Sequence, residues 1–244
     1  KKKKKKKKKK KLLFTDVEMP SVKDDEIRIK IKAIGINRAD LLQKKGTYPS
    51  PKGWPQWPGL EVSGTVDAMG EVAKQKGRFK IGDSVCALLG GGGYAEYVCA
   101  PEGMVMPMPK NLSFEQAATI PEAYATSYLN LFWEGHLNKG NTAFIPAGAS
   151  GLASVAIPMA KAFGARVITS VLSDEIAEKI KPLGADVVIN SSKESEPNHR
   201  SRKMKSSSCS LNCSSMFVWL FLLGIMRAAT LQDFAFFVLE IIIV

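Results

Sequence analysis

Cysteine and histidine are scarce: Cys86, Cys99, Cys209 and Cys213, with His136 and His199, are all that the 244 residues contain. No two cysteines form a C-x-x-C pair, so neither a disulfide-stapled scaffold nor a Cys/His zinc site is supported. Low cysteine use without an apolar signal core points to a reducing compartment, the cytoplasm. Long apolar runs are missing too. Met216–Met226 ends at Arg227, and Phe234–Val244 carries Glu240. A spanning helix needs about 20 apolar residues, so neither run predicts a membrane anchor. Positive charge is in excess at one place only. Lys1–Lys11 is an unbroken run, and removing those eleven from the 35 Lys and Arg leaves 24 against 23 Asp and Glu. The remainder is nearly neutral, which argues against specific nucleic-acid binding. The run cannot bury apolar surface, is predicted to be disordered, and reads as a translated A-rich tract or an added sequence, with a polycation for RNA or acidic lipid as the rival reading.

What is present divides in two. Glu26–Ile34 alternates, with Ile27, Ile29, Ile31 and Ala33 on one face, and predicts a half-buried strand. Asn37–Lys44 predicts a short helix with Asn37 at its cap and Gly46 beyond its end. Strands are expected at Leu60–Met69, Ser84–Cys86 and Tyr94–Val98, with a polar turn at Lys74–Gly77. Short strands divided by turns predict a small, twisted, barrel-like β domain. From about residue 112 the pattern changes. Ser113–Gln116 has capping-box spacing, and Pro121 opens a helix to about Trp133.

Thr142–Ala165 then reads as a strand, a glycine turn at Ala147–Gly151 and a helix towards Phe163. Arg166–Thr169 is a second strand, Ser173 caps a helix to Lys181, and Asp186–Ile189 is a third strand. Strand, glycine turn, helix, strand opens a dinucleotide-binding unit, where a pyrophosphate rests on N–H groups at a helix N-terminus. The turn departs from G-x-G-x-x-G, offering Gly148, Gly151 and then Ala153. After Glu194 the sequence turns basic and serine-rich, then apolar.

Five segments carry a resemblance: INRADLLQKKGTYPSPKG (36–53), PGLEVSG (58–64), KIGDSVCALLGGGGYAEYVCAPEG (80–103), AATIPEAYATSY (117–128) and AGASGLASVAI (147–157). Together they resemble the zinc-free quinone oxidoreductases, the zeta-crystallin-like branch of the medium-chain dehydrogenase/reductases. The resemblance runs from about Asp16 to Lys193. It implies a GroES-like β-barrel domain over 12–118 and a partial Rossmann domain, a doubly wound parallel sheet, over 119–195. The segment 196–244 is expected to be a non-family tail, and the chain to be truncated against its relatives. The implied activity is metal-free hydride transfer from NADPH, with NADH the alternative, to a quinone or another activated carbonyl or alkene. An enoyl reductase on the same scaffold, a non-catalytic remnant and a membrane-tethered interaction protein stay open as rivals. A homodimer is expected if the family fold is complete.

By the same resemblance Asn37 and Tyr48 take catalytic positions beside the nicotinamide, Tyr48 as a donor to an acceptor oxygen. Thr126, Gly148, Ala149, Ser150, Gly151, Leu152, Ser170 and Ser173 take cofactor-binding positions. No metal is expected, because zinc-dependent relatives place ligands where this chain has Asn37 and Leu60. Several departures bear on activity. Asp174 and Glu175 stand where a basic residue would meet a 2′-phosphate, and Ala153 replaces a glycine. Pro158 falls inside the predicted phosphate-binding helix, where an interior proline typically costs about 3 kcal/mol.

Overall fold

The computed structural model describes residues 12–193 and a two-residue strand, Ile242–Ile243. The lysine run and nearly all of the expected tail lie outside the described residues. The chain divides into two compact units, Lys1–Glu122 and Ala123–Val244.

In the first unit β1 (Glu26–Ile34) leads into α1 (Arg38–Lys45), β2 (Glu61–Met69), α2 (Glu71–Gln75), β3 (Ser84–Leu88), β4 (Tyr97–Pro101), β5 (Val105–Pro107) and α3 (Phe114–Ala117). The five strands form one antiparallel sheet in the order β4-β1-β2-β3-β5. Alternation along β1 sends Ile27 and Ile29 wholly inside while Lys30 and Lys32 face solvent. The core adds Val62, Val66, Val85, Val98 and Val105, and each such burial contributes about 1.5–3 kcal/mol. Gly64 of β2 is a close approach: a Cβ there would stand 2.1 Å from the Lys30 carbonyl oxygen.

Two elements differ from the sequence expectation. The polar turn after β2 contains α2, a five-residue helix whose Ala73 is fully buried. The strand expected at Tyr94–Val98 begins only at Tyr97. Tyr94 is drawn out of the ladder, its N–H donating to the Pro58 carbonyl (2.9 Å) and its hydroxyl to Asp40 Oδ2 (3.1 Å).

The helix α4 (Ile120–Tyr128) crosses the division and widens into a π-helical stretch, Leu129–Glu134. The second unit continues with β6 (Thr142–Ile145), α5 (Ala153–Ala162), β7 (Arg166–Val171), α6 (Asp174–Ile180), β8 (Val187–Asn190) and β9 (Ile242–Ile243). Its sheet runs β8-β7-β6-β9, parallel from β6 to β8, with β9 antiparallel on the far edge of β6. Ala143, Ile145, Val167, Ala156, Ile157 and Ala160 pack as its core. Helix α5 passes through Pro158 without a break. The proline removes the N–H that would bond the Ser154 carbonyl, but both residues lie on the exposed face, where that carbonyl is open to solvent.

Candidate cofactor and substrate sites

In the second unit β6 and β7 aim their C-terminal ends at the turn before α5. The Gly148 N–H donates to the Ser170 carbonyl at 2.8 Å, tying the turn to β7. A Cβ on Gly148 would stand 2.4 Å from Thr169 Oγ1, so glycine is required by the strand beneath it. Thr169 is fully buried and donates its hydroxyl to the Ile145 carbonyl at 2.6 Å. A Cβ on Gly151 would meet nothing within 4 Å. Ser150 closes the helix end, its Oγ accepting from the Ala153 N–H at 3.1 Å and its N–H donating to the Ala147 carbonyl at 2.8 Å. Ala147 holds a φ of 52°, an uncommon left-handed conformation for a residue with a Cβ. Among the described residues the N–H groups of Ala149, Gly151 and Leu152 find no acceptor within the chain. Unsatisfied N–H groups at the start of a ten-residue helix fit a phosphate. Ala153 is fully buried in the core, so its methyl is accommodated.

At the end of β7, Ser173 caps α6, its side chain accepting from the Ile176 N–H at 3.3 Å. Asp174 is paired with Lys193 and receives the Asn190 amide at 2.7 Å; those bonds hold its carboxyl below the usual range. Glu175 pairs with Lys179 at 2.7 Å. Both acids expected to repel a 2′-phosphate therefore have partners, each a surface pair of modest worth. Thr126 is half-buried on α4; its carbonyl accepts from the Asn130 amide at 2.7 Å, and its hydroxyl makes no hydrogen bond among the described residues.

In the first unit Asn37 and Tyr48 belong to one polar cluster. Asn37 is the N-cap residue of α1, as expected, and its Nδ2 donates to Glu61 Oε1 at 2.8 Å. Asp40 reaches back to the cap, its carboxylate accepting from the Asn37 N–H at 2.7 Å. Asp40 also accepts from the Gly59 N–H (3.2 Å) and the Tyr94 hydroxyl (3.1 Å). Glu61 is buried, and its second oxygen accepts the Glu122 N–H at 2.9 Å, capping the start of α4 from a distant strand. Gly35 makes room for it: a Cβ there would lie 2.1 Å from Glu61 Oε1. Burial lifts the Glu61 carboxyl, Asp40 adds to the rise, and the two N–H bonds oppose it. Burial, then the charges of Glu61 and Asp40, push Glu122 up to about 7. Burial and Glu122 push the Tyr48 hydroxyl up to about 12, so it is protonated at neutral pH. Glu122 escaped the sequence reading. Its only signal was a carboxylate directly after Pro121 at a helix start, where a helix-favouring role suffices. Burial also pushes the thiols of Cys86 and Cys99 up to about 11, which suits packing rather than nucleophilic attack.

Residues 23–110 match the family described as Alcohol dehydrogenase GroES-like domain, and residues 151–216 the family described as Zinc-binding dehydrogenase. Among curated proteins the chain is 34% identical over 179 residues to quinone oxidoreductase of Sus scrofa, covering 73% of this chain and 54% of that protein. It is 35% identical over 190 residues to 2-methylene-furan-3-one reductase of Solanum lycopersicum, covering 75% and 49%. Among solved structures, Escherichia coli quinone oxidoreductase complexed with NADPH superposes with a TM-score of 0.67 at 29% identity, covering 79% of this chain and 58% of that one. The chain belongs to the medium-chain dehydrogenase/reductase superfamily, with a GroES-like unit followed by a Rossmann-like one. It spans about half the length of the curated quinone oxidoreductase it matches.

The zinc implied by one family description does not fit the described residues. Asn37 is an amide already bonded to Glu61, and among the described residues no group of three or more His, Cys, Asp or Glu could hold a metal. Among the described residues no helix is long and apolar enough to cross a membrane.

Proposed function

We propose that this chain is the nicotinamide-binding, acceptor-reducing part of an NADPH-dependent quinone oxidoreductase. The observation that carries the reading is the turn before α5, where three neighbouring N–H groups lack acceptors among the described residues at the end of a parallel strand pair. Ala149, Gly151 and Leu152 would hold the pyrophosphate, and Ser150 would keep the turn in shape. Ser170 and Ser173 stand at the end of β7, where the adenosine ribose is expected; Thr126 would face the nicotinamide end. The preference for NADPH over NADH draws on the pairing of Asp174 with Lys193 and Glu175 with Lys179, which leaves neither acid as an isolated anion.

A bound nicotinamide supplies the hydride. The acceptor then needs one proton and a place for developing negative charge, and the Tyr48 hydroxyl is the donor we assign to its oxygen. Asn37 acts by holding Glu61, which anchors the start of α4. Similarity to 2-methylene-furan-3-one reductase favours activated alkenes as a second acceptor class. A homodimer and a cytoplasmic location belong to the same reading.

Titrating the purified full chain with NADPH and NADH, following nicotinamide fluorescence, tests the cofactor. Parallel assays of NADPH oxidation with a model quinone, an enone and an enoyl-CoA test the acceptor. Saturable NADPH binding with quinone-dependent oxidation supports the reading. Absence of any nicotinamide binding by soluble protein would sink it.

A further inference from the structure

Elsewhere the first unit pairs its buried carboxylates with cations. Glu102, 2% exposed, receives both Lys76 (3.0 Å) and Arg78 (2.7 Å), and Glu26 receives Lys23 (2.7 Å). Asp40 and Glu61, both buried, and Glu122, half-buried beside Glu61, break that pattern. Among the described residues no ion pair reaches any of the three. Three carboxylates packed together without a cation cannot all stay ionised cheaply.

Hydrogen bonds distinguish the three carboxyl groups. The Asp40 carboxylate accepts from two N–H groups and a phenol. Glu61 accepts from an amide and an N–H. At Glu61 these two donors oppose the rise that burial imposes. The carboxyl of Glu122 accepts no hydrogen bond among the described residues. Among the described residues the groups facing the cluster are Tyr48 after α1, Tyr94 before β4 and Cys86 on β3, all neutral acids at pH 7.

We propose that Glu122 holds the single proton of an Asp40–Glu61–Glu122 carboxylate trio and so keeps negative charge away from the Tyr48 hydroxyl. Glu122 is then a positioning residue, acting through Tyr48. With Glu122 neutral, an acceptor oxygen beside Tyr48 gains electron density without facing an anion. With Glu122 ionised, the same charge is opposed. The part concerning turnover rests on the proposed reaction; the shared proton does not.

The test is carboxyl and phenol NMR on the full chain, labelled with ¹³C at Glu Cδ and Tyr Cζ and titrated from pH 4 to 9. One glutamate is expected to titrate near neutrality, and the Tyr48 resonance to shift with the same midpoint. Both features vanish in Glu122→Gln. In Tyr48→Phe the carboxyl transition persists. Should Glu122→Gln fail to fold, Glu61→Gln serves instead, by moving the midpoint at least one pH unit towards the ordinary range. A Glu122 resonance that titrates between pH 4 and 5 in the unaltered chain overturns the proposal, as does a Tyr48 resonance indifferent to it. In the turnover assay, quinone reduction falls as pH rises through neutrality, and Glu122→Asp keeps this dependence while Glu122→Gln loses it. A neutral-pH carboxyl without any NADPH oxidation would overturn the proposed reaction and leave the shared proton standing. Oxidation with an ordinary Glu122 would do the reverse.

Discussion

At the scale of single residues, the polar cluster of the first unit shows how space and charge are exchanged. Gly35 exists to admit Glu61, since a Cβ there would lie 2.1 Å from the carboxylate. Gly35→Ala should therefore lower stability by about 1–3 kcal/mol, the cost of forcing a buried group aside; urea denaturation measures it. Glu122 has the opposite pH signature to a salt-bridged acid. Its folded-state value, about 7, lies above the ordinary 4.5, so the folded chain binds the proton more tightly than the unfolded one. The contribution is fully present below pH 4.5, is lost as pH rises to about 7, and amounts to on the order of 3 kcal/mol. Glu122→Gln should flatten that slope and be the more stable chain at pH 8, in the same urea experiment run across pH.

At the scale of elements, α5 and the turn before it divide the work. Gly148 is dictated by Thr169 beneath it, whereas a Cβ on Gly151 would meet nothing within 4 Å, so only the first is required by the fold. Pro158 interrupts the hydrogen-bond ladder on the exposed face of α5. Pro158→Ala restores an N–H for the Ser154 carbonyl and should stabilise the second unit by about 1–2 kcal/mol. The full helical difference is not expected, because proline also restricts the unfolded chain. Thermal melting would show a higher midpoint; a lower one would mean that the proline ring contributes packing that the helix needs. Helix α4 depends on a cap from β2 rather than from its own neighbours, since Glu61 receives the Glu122 N–H.

At the scale of the molecule, the parallel strands β6, β7 and β8 have one edge on β8 and another on β6, where β9 adds only two pairs, Ala143 with Ile243 and Phe144 with Ile242. A short antiparallel strand covers that edge without the long crossover a parallel one needs. Removing Ile242 and Ile243 should raise concentration-dependent light scattering; unchanged scattering would show that this pairing does not protect the edge.

Much of the local structure was legible from residue order. The alternation of Ile27, Ile29 and Ile31 set β1, Gly46 in the left-handed conformation ended α1, and the Ser113–Gln116 box opened α3. The glycine turn and its flanking strands were legible for the same reason: they rest on contacts between near neighbours. Three things were not. The retreat of β4 from Tyr94 depends on Pro58 and Asp40, and the buried helix α2 on the sheet beneath Ala73. The third is the Asp40–Glu61–Glu122 trio, whose members stand on α1, β2 and α4. Nothing local marks Glu122 as special. Its properties come from desolvation and from the charges of Glu61 and Asp40, brought beside it when β2 and α1 pack. Residue order determined the elements and the glycine turn before α5; only the folded chain brought Glu122 beside Glu61 and Asp40, because that juxtaposition depends on contacts assembled through space.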